Sequence, residues 1–297
     1  MSDSYSMALG WLLLAEIIAT VCQLARGDLT HHYIQIYRER KYAEPLITAA
    51  LRLLPDEVFL FASDSSDTAA APPHYSDMFV KVKDFSVHEA ALGEDVCALA
   101  CRSVFSTLCG AGCGPARGWW GAAAARAARL LERLVRAYVA PPAARDQLLS
   151  LHQRAAEIDD AEIRIAWSSN EVTCVYNVEE RLIELRVWLS PAHPLTPPRL
   201  AAPHTVGPGA NTHWVALYLA YQNGTLLNAL KMWTQAVSAK VESSPQCYIC
   251  YCRLHPNTGR LPRVLCYQCK NKFHNMCLRK WFTTSNKSNC PLCRSNF

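Results

Sequence analysis

Between Cys247 and Cys293 the chain carries eight metal-type ligands in four pairs: Cys247-x2-Cys250, Cys266-x2-Cys269, His274-x2-Cys277 and Cys290-x2-Cys293. Two ligands so spaced close one tight turn around a single ion. Four such pairs therefore supply two complete tetrahedral donor sets, the pattern of structural zinc with no coordination position left open for chemistry. A module this small has little apolar core of its own, so the ions dictate its fold.

The gaps decide which fold. Fifteen residues separate Cys250 from Cys266 and twelve separate Cys277 from Cys290, while the second and third pairs nearly touch. That spacing suits a cross-brace in which alternate pairs share an ion. Cys247, Cys250, His274 and Cys277 are expected to hold one Zn2+, and Cys266, Cys269, Cys290 and Cys293 the other. A disulfide framework is the competing reading, but repeated CxxC turns with a histidine at ligand spacing favour zinc. The apolar run Trp11 to Leu24 has no basic flank, contains Glu16, and is shorter than the roughly 20 residues a bilayer span needs, so no secretory signal and no membrane partner are expected.

The segment CYIC…CYQCKNKFHNMCLRKWFTTSNKSNCPLC resembles the RING domain of E3 ubiquitin ligases, in the order of four cysteines, a histidine and three cysteines. PHD fingers share that order. A PHD finger normally places an aromatic residue two positions before the seventh ligand, where this chain has Ser288, whereas Trp281, shortly after the sixth ligand, suits a RING. From Cys266 onward the chain is similar to the extreme C-terminus of the listerin family, RING-type E3 ubiquitin ligases of ribosome-associated quality control.

The resemblance implies roles for particular residues. Ile249, Trp281, Pro291 and Leu292 would form the shallow groove for an E2 ubiquitin-conjugating enzyme. Arg294 would be the basic linchpin between the E2 and its thioester-linked ubiquitin, since a guanidinium can donate to two partners at once. His274 would be a ligand and not a base. Transfer would need no nucleophile from this chain: the E2 cysteine carries the thioester, a substrate lysine attacks, and the ligase acts by positioning. A module that binds a partner without promoting transfer, PHD-like or adaptor-like, is the alternative.

Upstream, Ile163, Ile165 and Trp167, then Val172, Cys174, Tyr176 and Val178, then Ile183, Leu185, Val187 and Leu189 alternate with polar residues, separated by short breaks. This period of two predicts a three-stranded antiparallel meander. A Pro-rich loop from Pro191 to Pro208 follows, and then two amphipathic helices carrying Trp214, Leu217, Tyr218 and Tyr221, and Leu226, Leu230, Trp233 and Val237. Strands followed by helices indicate an α+β layer. The order resembles the RWD domain, an E2-like fold without the catalytic cysteine, although the family's Tyr-Pro-x3-Pro signature stands here as His193-Pro194-x3-Pro198. In listerins this region precedes the RING and docks on the large ribosomal subunit near the exit tunnel, which implies that partner, a stalled nascent chain as substrate, and a cytosolic location.

The first 140 residues read as packed helices, with a linker over Ser63 to Asp77; the listerin resemblance implies that they end a HEAT-like array in a longer protein. A helix over Ala116 to Ala140 sets Arg126, Arg129, Arg133 and Arg136 beside Leu130, Leu131, Leu134 and Tyr138, which suits a solvated basic face on a packed helix. Cys97, Cys101, Cys109 and Cys113 lack both a histidine and a CxxC turn and are expected in the core. Cys252 is expected to be a bystander. The resulting fold class is multidomain: an α-helical, HEAT-like part over 1–141, an α+β RWD-like domain over 142–244, and a small two-zinc cross-brace RING over 245–297.

Charge divides the same way. Of 30 Lys and Arg residues nine fall in 245–297 with no Asp or Glu, leaving 21 against 25 acidic residues elsewhere. The basic excess belongs to the zinc module and survives ligation, in which seven thiolates and two divalent ions add about −3. A positive platform suits an acidic protein partner or ribosomal RNA.

Overall fold

The computed structural model describes residues 28–60, 73–80, 93–110, 113–179, 181–201, 212–221 and 224–297, with isolated helical positions between 6 and 21. It divides into two compact units: Met1–Leu149 with Leu189–Pro198 and Leu219–Gly224, and Ser150–Trp188 with Arg199–Tyr218 and Thr225–Phe297.

The first unit is helical. Its elements are α1 (Asp28–Glu39), α2 (Ala43–Leu53), α3 (Asp56–Leu60), α4 (Pro73–Val80), α5 (Gly93–Cys109), α6 (Cys113–Ala122) and α7 (Ala125–Leu134). α2 and α5 bury Leu46, Ile47 and Ala50, and Cys101, Val104 and Leu108, the three-and-four spacing of a helix face turned to a core. Phe79 stacks on Tyr138 with centroids 5.1 Å apart, and the Tyr138 hydroxyl donates to the Val58 carbonyl at 3.3 Å. α7 continues through a widened turn, Val135–Val139, into α8 (Ala140–Gln153). Pro141 and Pro142 explain the widening: neither has an N–H to return to the turn behind it.

Arg117 on α6 ties two later stretches of the chain to the helices of this unit. Its Nε donates to the Pro194 carbonyl at 2.7 Å and its Nη1 to the Ala220 carbonyl at 2.5 Å. Beside it His193 is buried, and neither ring nitrogen has a partner among the described residues. Burial, with the neighbouring Arg117 charge, pushes it down to about 4, so the ring is neutral.

Several expectations need adjusting here. The single helix expected over Ala116 to Ala140 breaks at residues 123–124, because Gly118 and Gly121 weaken its first half and Trp120 donates across the break to the Ala128 carbonyl at 3.2 Å. Its four arginines are exposed, with Arg136 paired to Glu132 at 2.6 Å, while Leu131, Leu134 and Tyr138 are buried. Of the expected linker, residues 63–72 lie outside the described residues, and Pro73 opens α4 as proline does at a first helical position. Half of the side chains from Trp11 to Leu24 also lie outside them. Cys101 and Cys113 are buried and Cys97 and Cys109 half-buried. No single helix among the described residues is long and apolar enough to cross a membrane.

The second unit begins with a sheet in the order β1 (Ala161–Ala166), β2 (Glu171–Val178), β3 (Arg181–Trp188), β4 (Arg199–Ala201), all antiparallel. Register sets Ile163 beside Cys174 and Cys174 beside Leu185, and likewise Ile165, Val172 and Val187, so one face is apolar. α9 spans His213–Tyr221 and α10 Leu226–Glu242. The Thr225 hydroxyl caps α10 by accepting from the Asn228 N–H at 3.2 Å, and Trp233 meets Tyr176 edge to face with centroids 6.2 Å apart. Two differences from the sequence reading stand out. The Pro-rich segment supplies a fourth strand, β4, and α9 buries Val215 and Leu219 while leaving Trp214 and Tyr221 67% exposed.

Candidate metal centre and docking face

The three CxxC pairs fold as repeats of one turn. The Cys247 N–H donates to the Cys252 carbonyl and Tyr251 donates back to the Cys247 carbonyl, at 3.0 and 2.7 Å. Cys266 with Asn271 and Lys270, and Cys290 with Ser295 and Arg294, repeat both bonds at 2.8 to 3.0 Å. Each turn closes on a left-handed residue, Tyr251, Lys270 or Arg294, with φ of 58°, 58° and 61°. The amides inside each loop are thereby aimed at its sulfurs. The short hairpin of β5 (Val264–Leu265) and β6 (Lys272–Phe273) flanks the second turn. The fourth pair is different: His274 is the N-cap of α11 (Asn275–Ser285), and Cys277 lies in its first turn.

These elements gather the eight ligands into two groups, Cys247, Cys250, His274 and Cys277, and Cys266, Cys269, Cys290 and Cys293, each with its donor atoms within 4.8 Å of one another. Alternate pairs share a group, as the gaps predict. Zn–S bonds of 2.3 Å in a tetrahedron put sulfurs about 3.8 Å apart, and sulfur and nitrogen slightly closer. Observed are 3.6 Å for Cys266–Cys293 and 3.8 Å for Cys269–Cys290, and 3.4 and 3.8 Å from the His274 Nδ1 to the sulfurs of Cys250 and Cys277. Disulfide sulfurs would lie near 2.05 Å. The donor set and its spacing therefore fit two tetrahedral ions of zinc's size, and among the described residues no further such cysteine–histidine group occurs.

Electrostatics agrees with that reading. Backbone N–H groups, that of Cys269 first, pull the Cys266 thiol down to about 6. Burial pushes Cys277 up to about 12 and Cys290 up to about 11, with neighbouring thiols adding to the rise. Each cluster thus takes one negative charge readily and resists the next, a set that a divalent cation completes. Burial holds His274 below its usual value, which keeps the ring neutral and able to ligate. Its other nitrogen, Nε2, lies 2.9 Å from the Arg253 carbonyl, which fixes Nδ1 toward the cluster.

The docking candidates lie around these clusters. Ile249, in the first loop, is half-buried against the core formed by Phe273, Leu278 and the buried cysteines. Trp281 is half-buried on α11, and its Nε1 donates to the Asn289 carbonyl at 3.0 Å, bracing the approach to Cys290. Pro291 is half-buried, Leu292 is 44% exposed, and Arg294 is exposed. The sequence reading missed two supports. The Ser295 hydroxyl sits 2.9 Å from the Cys293 sulfur, and Arg253 holds His274 through its carbonyl. Serine two residues past a ligand is a weak hint of the first; nothing in the sequence marks the second.

Residues 161–240 match the family of ubiquitin conjugating domain-like proteins, and residues 245–294 match the Ring finger domain family. Cys174 is the one cysteine within 161–240; it faces the core, and burial pushes it up to about 12, so this domain has no exposed thiol for a thioester. Across the whole chain, the E3 ubiquitin-protein ligase listerin of Xenopus tropicalis is 29% identical over 305 aligned positions.

The chain is similar to listerins along its whole length.

The listerin of Drosophila melanogaster is 35% identical over 185 residues, 61% of this chain, and that of Saccharomyces cerevisiae is 26% identical over 281 residues, 90% of it. The chain spans 11 to 18% of the length of these listerins. In listerin terms, it holds a helical part, a ubiquitin conjugating-like domain and a RING in that order.

Proposed function

We propose that this chain is the working end of a RING-type E3 ubiquitin ligase, in which two structural zinc ions hold a platform for an E2–ubiquitin thioester. One observation carries the reading: two interleaved four-ligand clusters leave every coordination position filled, while Leu292 and Arg294 stand at the surface beside the last ligands. A closed metal site does no chemistry of its own. What remains is docking, and a guanidinium at the rim able to hold a mobile ubiquitin by donating to two carbonyls at once. Ile249, Trp281, Pro291 and Leu292 form the E2 contact, and Arg294 acts on the bound thioester.

The ubiquitin conjugating-like domain is of the RWD kind, in keeping with the burial of its cysteine, and the helices before it end a HEAT-like array. Together they tether the RING, in the cytosol, to large ribosomal subunits that carry stalled nascent chains, raising the local concentration of the right lysine into the millimolar range over a short link. The domains of this reading are 1–141, 142–244 and 245–297. An in vitro ubiquitination assay across a panel of E2 enzymes separates it from a non-catalytic zinc module. Ile249→Ala is expected to weaken E2 binding, and Arg294→Ala to leave binding intact while slowing discharge of the E2–ubiquitin thioester to lysine. Discharge at the parent rate would remove the linchpin role. For the tether, the chain should co-sediment with split large subunits at low salt.

A further inference from the structure

The tip of the β2–β3 hairpin does more than reverse the chain. Val178 pairs with Arg181, leaving a two-residue loop whose first residue, Glu179, has φ of 48°. Asn or Gly adopts that left-handed conformation more readily than Glu. The carboxylate placed there reaches the loop after the first zinc turn: Oε1 accepts from Arg253 Nη1 at 2.8 Å, and Oε2 accepts from the Leu254 N–H at 3.3 Å. The Leu254 N–H and the Arg253 carbonyl belong to one peptide group, and that carbonyl lies 2.9 Å from His274 Nε2. A continuous line results, from carboxylate to peptide N–H, and from peptide C=O to imidazole to the first cluster.

We propose that Glu179 is the outer carboxylate of the first metal site, acting on His274 through the Arg253–Leu254 peptide group. A carboxylate on the N–H side polarises the peptide, so its carbonyl accepts the Nε2 proton more strongly, and Nδ1 becomes a better donor to the ion. The ring's orientation is fixed by the same bonds. The ubiquitin conjugating-like domain thus completes a metal site whose four ligands all lie in the RING. The second cluster has local support from Ser295 and none from this hairpin. Glu179 is a positioning residue, and its effect belongs to one ion of the two.

The test uses the full chain loaded with two ions. Release of zinc to excess chelator is followed in time, and 113Cd NMR of the cadmium-loaded chain identifies which site, three sulfurs and a nitrogen or four sulfurs, is affected. Glu179→Ala is expected to speed loss of the ion held by Cys247, Cys250, His274 and Cys277 about tenfold, the lower end for outer-shell partners, with the four-sulfur site emptying only after it. Glu179→Asn relieves the left-handed turn and shortens the side chain, so it should give the same loss without lowering thermal stability. Arg253→Ala keeps the peptide group and should change release less than about twofold. A four-sulfur site that empties first, no acceleration at either site, or an Arg253→Ala effect matching that of Glu179→Ala would overturn the proposal. None of these readouts involves ubiquitin, so it stands or falls apart from the ligase reading.

Discussion

Removing one ligand of the second cluster, Cys266→Ser, should empty both metal sites. One cluster of six buried residues lies at the centre of the zinc module: four, Cys247, Cys266, Cys277 and Cys290, are ligands, and Phe273 and Leu278 are its apolar fillers. Burying two such side chains contributes about 3–6 kcal/mol, whereas a structural zinc site contributes about 10–16 kcal/mol of apparent binding energy that is also folding energy. Each ion therefore outweighs the whole apolar centre. The cross-brace couples them: Cys266 and Cys269 lie between Cys250 and His274 in the chain, so losing the second ion frees the segment that closes the first site. The parent should contain two zinc ions by elemental analysis and the variant fewer than about one, with loss of the Trp281 near-ultraviolet signal while the β1–β4 sheet keeps its far-ultraviolet signal. A variant that retains one ion per chain with Trp281 in its native environment would refute the coupling.

The same linkage gives a pH dependence with a definite sign. Ion-bound thiolates have pKa values depressed below the roughly 8.5 of an unfolded cysteine, so the stability they contribute is complete above that value and is lost as pH falls. Cys277 and Cys290, pushed up to about 12 and about 11 without an ion, are protonated at pH 7 and must give up their protons on loading. Zinc addition in weak buffer should therefore acidify the solution by about two protons per chain or more.

Arg117→Ala leaves the Pro194 and Ala220 carbonyls without their charged donor in a half-buried setting, and should lower the urea midpoint by the equivalent of about 2–4 kcal/mol. Arg294→Gly separates backbone from side chain: glycine fits the left-handed turn at φ 61°, so thermal stability should hold or rise while thioester discharge slows as much as in Arg294→Ala.

The metal clusters were legible because two constraints coincide. A CxxC turn is local, so spacing alone specifies it, and an ion accepts only four donors, so the unequal gaps choose among the pairings. The sheet was legible for a similar reason: Ile163, Cys174 and Leu185 alternate with polar neighbours, and one-sided burial leaves that alternation in the sequence. α9 was misread because HWVALYLAY is apolar nearly all the way round, and a helix without a polar face carries no signal of which side is buried. Trp214, on the apolar face by its spacing with Leu217, Tyr218 and Tyr221, is exposed. β4 was hidden by its length, three residues whose strand character comes from β3. Glu179 and Arg253 are 74 residues apart and look like ordinary surface charges; only the fold brings them together.

The burial of Cys174 constrains the mechanism more than any residue at the surface. A ubiquitin conjugating-like fold invites the thought that the chain carries ubiquitin on its own thiol. The only cysteine within 161–240 sits on the inner face of β2, fully buried, with its thiol pushed up to about 12. Exposing it would mean breaking its register with Ile163 and Leu185 at the centre of the sheet, and a thiol that high is protonated at neutral pH and a poor nucleophile. The zinc ligands offer no substitute, since a thiolate held by an ion in a closed site is already committed. Neither the conjugating-like domain nor the closed zinc clusters therefore offers a thiol for a thioester, and what these two parts can supply is geometry. That assigns separate tasks to the two parts of the second unit. On the function proposed above, the RING offers a rigid face to a weakly bound partner, built from its three repeated turns and the two ions its clusters fit. The conjugating-like domain, relieved of chemistry, is free to serve as a support. The Glu179 hairpin meets the RING where such a support is needed, at the loop that holds His274.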